Sequence, residues 1–508
     1  MVASWVDFFL VALVSFFLSP FVVHHLGASD FGAWTVAGGL MGYLGLLDFG
    51  IRQAVNRYVA HHWAVADHES ASAIGSAALR VLGAMGIVAI VLSSIVAVLA
   101  PILFNIPDSL VHDIRIVIVL GGVGVAVSLV SGIFQAAVTG IERSDVVCLF
   151  NVLVTIVRSA GIIIALAAGY GLVSMAWIQL GTTVLNAFLV MVAAHRLYGQ
   201  MRPRLTGDVL PQVRTLVMFG ASVTVVNGLS QLIYFSDMFV IAAFLPIEAV
   251  TFYAIAKNLC LQVRGLATSM AYLMTPRVSA LTSLGSNRVG EEILAVAKLA
   301  TIVAAPVAMT FWLRGESFIT LWMGPEYGPA SGEILRILGL VVWLESWRSV
   351  LMYSFTGMGK QRTLIPGIAF EAVFNLAISI ALVRSLGIVG VALGTLIPSV
   401  LVSLVYFPNR LAAITAVPLG LFYRKAVFLP TVACIPFALA SFATERFFPA
   451  GNLAVFFLQV FATLPLVVVA GWYLCLTPAE RSQTGSQIRK MLGQPTATAE
   501  PPSKGDGS

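Results

Sequence analysis

The sequence predicts an all-α polytopic membrane protein with about fourteen transmembrane helices. Hydrophobic residues make up 59% of its 508 positions, and charged residues only 10%. The mean hydropathy is +0.95. A soluble protein of this size could not cover so much apolar surface with polar residues. Long apolar runs recur along the whole chain, each close to the roughly 20 residues that a helix needs to cross a bilayer.

Fourteen such runs follow one another along the chain. The first run lacks a basic leader and a small-residue cleavage site, so we expect it to be retained as a span and not removed as a signal peptide. The runs lie near 5–23, 32–60, 74–100, 114–138, 147–168, 172–194, 213–244, 250–272, 292–313, 332–355, 364–383, 387–407, 421–443 and 453–475.

Basic residues divide the connections between the runs into two sets. Arg and Lys are concentrated in the even-numbered connections and in the C-terminal tail, whereas odd-numbered connections such as "HHLGASD" hold few or none. Because basic loops resist translocation, both termini are predicted to be cytoplasmic. The net charge of +6 is therefore mostly an insertion signal. No basic, aromatic-interleaved soluble segment indicates a nucleic-acid partner.

The chain also resembles itself at a shift of about 217 residues, as expected for a transporter built from internal repeats. Asp30 then faces Glu248, and "GLVSMA" (171–176) faces "GIVGVA" (387–392). Six runs fit within the shift, an even number, so the two copies share one orientation and are related by an axis along the membrane normal. We predict four parts: an N-terminal six-helix lobe (1–200), a C-terminal six-helix lobe (201–412), an extra helix pair (413–476) and a disordered cytoplasmic tail (477–508).

Motifs that carry catalysis or metal binding are missing from the sequence. The adjacent histidine pairs at 24–25 and 61–62 cannot converge on one metal from a helix. There is no phosphate-cradling GxxxxGK[ST] and no GxSxG elbow. We therefore predict no catalytic residue, no metal site and no cofactor. The four cysteines show no CxxC pairing and are expected to be core residues: Cys148, Cys260, Cys434 and Cys475.

Charged residues inside the apolar runs are the candidates for function. In "LLDFGIRQAVNRYVAHH" (46–62), Asp48, Arg52 and Asn56 are spaced i, i+4, i+8 and share one face of the second span. The arginines of this segment would also serve as interfacial anchors whose side chains extend to the headgroups. That explanation is weaker for Asp48, which lies deeper.

The second lobe offers charges that lie deeper in the membrane. Lys257 and Arg264 are two turns apart on one face of the eighth span. An unpaired cation there would cost about 2.5–3.5 kcal/mol, so it should face water or a partner. Glu345 and Arg348 are three residues apart and could neutralise each other. Further buried candidates lie on the fifth, seventh and eleventh spans: Arg158, Asp237 and Glu371.

Cations outnumber carboxylates among these charges, which favours an anionic substrate such as a phosphate or diphosphate. We divide these polar residues between two roles. We assign substrate binding to the cations Lys257, Arg264, Arg52, Arg158 and Arg348. We assign gating or charge pairing to the remaining group, Asp48, Asn56, Asp237, Glu345 and Glu371.

A series of motifs in this order, "LGASDFGAW", "YLGLLDFGIRQAVNRYVA", "FYAIAKNL" and "LWMGPEYGPASGEILRILGL", resembles the polysaccharide-type flippases of the multidrug/oligosaccharidyl-lipid/polysaccharide exporter superfamily. The resemblance implies two lobes in a V around a cationic cavity, in a bacterial inner membrane. It implies translocation of an undecaprenyl-diphosphate-linked oligosaccharide to the periplasmic leaflet for O-antigen or exopolysaccharide assembly, alongside a polymerase or ligase. Asp48 and Arg52 map to the family's "LLD.G" segment, and Lys257 to a basic residue of its eighth span.

Three other functions stay open at this stage. A lipid II flippase would differ only in the glycan that it carries. A cation-coupled drug antiporter would need uncompensated carboxylates near the midplane. A membrane-embedded sugar polymerase or ligase should carry a large outward loop with catalytic residues, but the longest predicted outward loop, near 314–332, is short. The sequence therefore favours a transporter over an enzyme.

Overall fold

The computed structural model describes residues 2–199, 210–284, 286, 288–476 and 481, and every regular element in these ranges is helical. The predicted tail lies outside them, Arg481 excepted. The first seven helices are α1 (Val2–Leu26), α2 (Ala28–Leu44, continued by Ile51–Ala64), α3 (His68–Leu103), α4 (Val111–Gly140), α5 (Ser144–Ala167), α6 (Leu172–Leu197) and α7 (Leu210–Phe244). The others are α8 (Glu248–Tyr272, continued by Met274–Ser283), α9 (Val289–Met323), α10 (Gly328–Gly357), α11 (364–386), α12 (388–415), α13 (Leu419–Phe447) and α14 (Leu453–Leu474).

Each of these helices corresponds to one predicted apolar run. In the described part of the chain, ten helices are long and apolar enough to cross a membrane, or eleven if the bent α2 is one span. The difference from fourteen has two causes. Residues 361–415, which hold both α11 and α12, count once, and α8 and α10 carry charged residues that lower their hydropathy. The predicted fold class, an all-α polytopic membrane protein, is confirmed.

Consecutive helices alternate in direction, so their connections fall at two ends of the bundle. We call one end, with the connections at 65–67, 141–143 and 358–360, the basic end, because the predicted basic connections lie there. The opposite end carries the connections at 245–247 and 324–327. The cytoplasmic location of the basic end stays a prediction from the positive-inside rule.

Helices α11 and α12 form an antiparallel hairpin that turns at Gly387. This residue has φ 59° and ψ −139°, which glycine adopts far more readily than any residue with a Cβ. Across the hairpin, Asn375 donates to the hydroxyl of Thr395 at 2.9 Å, and Ser399 donates to Glu371 at 2.6 Å. The turn therefore brings polar groups of two predicted spans side by side within the membrane.

Helix α2 is broken in its second half and bends by 44°. Phe49 and Gly50 both have left-handed backbone angles, with φ 46° and 66°. That conformation is uncommon for a residue with a bulky side chain. The backbone of α7 lies directly against the break, because a Cβ added to Gly220 would overlap the carbonyl oxygen of Phe49. The break therefore lies at the contact between the first six helices and α7.

The starts of α2 and α8, which the internal repeat aligns, meet at the opposite end. The Thr251 hydroxyl donates to the Ala28 carbonyl oxygen at 2.6 Å, and Ser29 donates to Glu248 at 2.5 Å. A Cβ on Gly32 would overlap the carbonyl oxygen of Ile247. Equivalent segments of a parallel repeat meet in this way when the repeat axis passes between them. The two lobes are in close contact at this end.

The extra helix pair is fastened to the second lobe through a buried arginine of α9. Arg314 is 1% exposed, donates to Glu445 of α13 at 2.5 Å and donates to Gln459 of α14 at 2.6 Å. Trp322, also on α9, donates to the carbonyl oxygen of Phe16 in α1 at 3.0 Å. The predicted boundaries at 200, 412 and 476 stay predictions.

Candidate functional site

Lys257 is buried and paired with a carboxylate from the preceding helix. Its ammonium lies 2.6 Å from Asp237 on α7, and the two side chains are 7% and 0% exposed. The hydroxyl of Tyr253 also donates to Asp237, at 2.7 Å, and that of Thr395 lies 3.3 Å from the same oxygen. No carboxylate lies within a turn of Lys257 on its own helix. Its neutralising partner comes from another helix.

The hydrogen bonds of Asp237 continue into the α11–α12 hairpin. Thr395 accepts from Asn375, and Asn375 in turn accepts from Ser236 at 3.1 Å. All of these groups are buried. Buried polar groups are stable when each has a partner, and this chain of bonds ties α7, α8, α11 and α12 together.

The other predicted charges of the second lobe form a second chain of ion pairs. Arg348 donates to Glu371 at 2.7 Å and to Glu345 at 2.6 Å, so the predicted i, i+3 pair is present. Glu345 also lies 3.4 Å from Arg264. The Arg264 guanidinium stacks over the ring of Tyr234, with its carbon 3.7 Å from the ring centre. One carboxylate is therefore shared by two arginines on different helices.

The six charged residues of the second lobe, which we call the charged cluster, balance one another. Three cations face three carboxylates: Lys257, Arg264 and Arg348 against Asp237, Glu345 and Glu371. Five of the six, all except Arg348, line a cavity of about 40 Å³. The charged cluster is therefore formally neutral, and the predicted role of its cations in substrate binding stays a prediction.

In the first lobe, Asp48 and Arg52 also form an ion pair, which is looser and spans the break in α2, so the two residues do not share one face of a continuous helix as predicted. Arg52 lies 3.7 Å from Asp48, and the two side chains are 39% and 18% exposed. Arg52 passes over Gly132 of α4, where a Cβ would come within 2.8 Å of its Nε. Asn56 is half-buried one turn further along α2. A larger residue at Gly132 would therefore displace Arg52.

Asp48 lines a pocket of about 300 Å³ between the lobes, which we call the interlobe pocket. One side is the break in α2, and the other is a polar face of α7 that includes Asn227 and Gln231. Tyr234 lines both this pocket and the charged cluster's cavity. Because Arg264 stacks on Tyr234, the two sites are neighbours and share one aromatic ring as a wall.

Arg158 stands apart from the other predicted cations. Its NH1 donates to the side-chain oxygen of Gln179 on α6 at 3.3 Å. Within the described residues it has no carboxylate within 4 Å, whereas each of the other four predicted cations has one. Five cations face four carboxylates in the predicted set, so Arg158 carries the excess positive charge.

Sequence reasoning missed several uncharged residues of these sites. Tyr253, Asn375 and Thr395 hold the Asp237 network, Tyr234 underlies Arg264, and Gln179 holds Arg158. An amide inside an apolar span was the one signal that could have identified Asn375 and Gln179. Among the described residues, no group of three or more His, Cys, Asp or Glu side chains is placed to hold a metal ion.

Two bundles of helices, in contact at one end and carrying intramembrane charges, define a multi-pass membrane protein with the internal repeat that is common among transporter folds. Within that class, the chain belongs to the polysaccharide biosynthesis protein family, whose model matches residues 7–281, more than half of the chain. The family predicted from the motifs is confirmed.

A putative O-antigen transporter of Shigella flexneri is 22% identical over 387 residues, which cover 73% of this chain and 88% of the relative. A structure of the lipid II flippase MurJ in an inward closed conformation matches with a TM-score of 0.73 at 13% identity. The match covers 97% of this chain and 99% of the MurJ chain. An inward-facing multidrug resistance MATE family transporter of the MOP superfamily matches with a TM-score of 0.71 at 15% identity. The match covers 80% of this chain and 96% of the transporter chain. The structural matches establish the shared fold.

Proposed function

We propose that this transporter flips an undecaprenyl-diphosphate-linked oligosaccharide from the cytoplasmic to the periplasmic leaflet, for O-antigen or exopolysaccharide assembly. The observation that carries the proposal is the interlobe pocket, whose lining residues Asp48 and Tyr234 each contact a partly exposed arginine. Arg52 and Arg264 keep 39% and 25% of their side chains exposed, whereas Lys257 and Arg348 keep 7% and 6%. The family and the Shigella flexneri relative support the choice of a glycan.

The chemistry of such a substrate fits the arrangement of the two lobes. Its glycan and diphosphate cannot cross hydrocarbon unaided, while its polyprenyl tail need never leave the bilayer. Arginine binds phosphate through two parallel N–H donors. We assign the diphosphate to Arg52 and Arg264 at the interlobe pocket, and we assign Lys257 and Arg348 to maintaining the neutral, buried wall beside it.

The proposal includes the location and orientation of the chain. We place it in a bacterial inner membrane with both termini in the cytoplasm, where it would supply its product to a polymerase or ligase. The chain acts as a transporter and not as an enzyme in this account. Lipid II is the competing substrate, because the MurJ structure shares the fold over nearly the whole chain.

A deletion strain tests the proposal. Loss of the protein should remove surface polysaccharide and leave lipid-linked oligosaccharide accumulated on the cytoplasmic leaflet. Wild-type protein should restore export, and Arg264→Gln should not, at matched membrane levels. Arg336→Gln is the control, because Arg336 pairs with Glu316 at an exposed position of the same lobe. Normal polysaccharide in the deletion strain, with lost efflux of cationic dyes or with lipid II accumulation instead, would reject the proposed substrate.

A further inference from the structure

A cleft in the first lobe lies apart from the interlobe pocket and the charged cluster. It has a volume of about 320 Å³ and is bounded by α2, α4 and α6. Volumes of this size are typical of sites for small ligands, which are mostly apolar with a few polar groups. Trp34 and Gly38 line it from α2, Gly124 and Ser128 from α4, and Gln179 from α6. We call it the α2–α4–α6 cleft.

Glycines keep this cleft open. A Cβ added to Gly38 meets no atom within 4 Å, and one added to Gly124 comes no closer than 3.9 Å to Leu180. Glycine inside a helix is less stable than alanine, and here no packing neighbour requires it. The space above Gly38 is therefore room for something other than the protein's own side chains.

The cleft also presents hydrogen-bond donors that lack a protein acceptor. The indole N–H of Trp34, the amide N–H groups of Gln179 and the hydroxyl of Ser128 donate to no other group in the part of the chain that the structure describes. Behind Gln179 lies Arg158, the predicted cation without a carboxylate. Donors left without acceptors in the membrane are unfavourable unless water or a ligand supplies oxygen atoms.

We propose that the α2–α4–α6 cleft binds a sugar ring of the lipid-linked oligosaccharide. A sugar ring has apolar C–H faces that pack on an aromatic ring such as Trp34, and a rim of hydroxyl oxygens that accept from Gln179 and Ser128. An alkyl chain would leave these donors unpaired. A cationic drug would meet the uncompensated charge of Arg158.

The position of the cleft fits a glycan whose diphosphate lies at the interlobe pocket. Both sites use α2, with Gly38 in the cleft and Arg52 beside the pocket. Fourteen residues separate them, which would be roughly 20 Å along a continuous helix at 1.5 Å per residue, and the break in α2 bends this path by 44°. An oligosaccharide of a few sugars bridges such a distance. This inference rests on the proposed function, and the experiment below separates the two.

The test compares two probes on purified protein. One is bare undecaprenyl diphosphate, and the other is the lipid-linked oligosaccharide fraction extracted from the deletion strain. Wild-type protein should bind the glycosylated lipid more tightly. Gly38→Leu fills the cleft without a clash of its Cβ, so it should weaken binding of the glycosylated lipid by about tenfold and leave binding of the bare lipid unchanged. Trp34→Ala should act in the same direction.

Gly181→Leu is the matched control, because Gly181 lies on α6 outside the cleft and a Cβ there also meets no atom within 4 Å. It should retain the wild-type preference for the glycosylated lipid. If Gly38→Leu and Trp34→Ala both keep that preference, the cleft is not a sugar site, although the proposed function would survive. If wild-type protein binds neither lipid, the proposed function itself fails.

Discussion

Lys257 and Asp237 form a buried ion pair whose two members depend on each other. Removing two charges from water is unfavourable, and their attraction offsets this only when the geometry is good and other hydrogen bonds are made. Here Tyr253 and Thr395 add those bonds to the carboxylate. A neutral apolar pair would be the simpler way to pack α7 against α8. Ionisable residues retained inside a membrane usually serve function.

The pair predicts a double-mutant result. Lys257→Met strands the carboxylate of Asp237, and Asp237→Asn strands the ammonium, so each single change should destabilise the protein by about 3–5 kcal/mol. The double change should be markedly more stable than the sum of the two single changes predicts. Thermal unfolding of the detergent-purified variants measures this coupling. Strictly additive losses would contradict the ion pair.

Arg336 and Glu316 supply the control cycle. This pair also belongs to the second lobe, and its charged atoms lie 3.2 Å apart. Its side chains, however, are 44% and 50% exposed. Exposed pairs are typically worth about 0.2–1 kcal/mol, so the coupling in this cycle should be small. Comparison of the two cycles separates the effect of burial from that of charge.

At the level of single elements, the α11–α12 hairpin decides where four buried polar groups lie. Its turn at Gly387 aligns Glu371 with Ser399 and Asn375 with Thr395. The first of these contacts extends the charged cluster, and the second extends the Asp237 network. A shift in the relative position of the two helices would therefore disturb both sets of bonds.

We expect Gly387→Ala to destabilise the protein by about 1–3 kcal/mol, because its backbone angles are unfavourable for any residue with a Cβ. Its surroundings are not crowded, since a Cβ at Gly387 would meet no atom within 4 Å, so any loss reports the backbone alone. Gly83→Ala in α3 is the control, because its Cβ space is also empty while its backbone is helical. That change should be neutral or stabilising. Thermal unfolding measures both, and equal behaviour of the two variants would contradict the strained turn.

For the whole molecule, the contact between the lobes at the opposite end defines the conformation. The starts of α2 and α8 are held there by Ser29 with Glu248 and by Thr251 with Ala28. Nearby, Asn105 of the first lobe donates its backbone N–H to the Ala242 carbonyl oxygen at 2.8 Å. In the proposed transport cycle, with alternating access to the two sides of the membrane, these contacts break in another state.

A cross-link at this end should therefore block transport. In a background without the four native cysteines, Ser29→Cys with Glu248→Cys should react with a membrane-impermeant bifunctional maleimide applied from the periplasm and should stop polysaccharide export. The pair Glu316→Cys with Arg336→Cys lies within one lobe, so its cross-link should leave export intact. Full export by protein linked between residues 29 and 248 would contradict the need for separation of the lobes. Reaction only from the cytoplasm would reverse the predicted orientation.

The sequence by itself determined the fold class and the order of the helices. Apolar runs of membrane length are local patterns, and the internal repeat is found by comparing the sequence with itself. The bilayer forces such runs into helices because every backbone polar group must be satisfied internally. The sequence also identified the charged residues, since charges are rare in a chain with this composition. The Glu345 and Arg348 pair was predictable because it lies within one turn of one helix.

Only the tertiary structure decided which charges neutralise each other. Asp237 reaches Lys257, and Glu371 reaches Arg348, from different helices, and helical spacing within one segment carries no information about such contacts. The same limit hid the exceptional position of Arg158, whose partner is the neutral Gln179 and not a carboxylate. An ion pair between helices depends on how the helices pack, and packing in a membrane is set by the fit of side chains along whole faces.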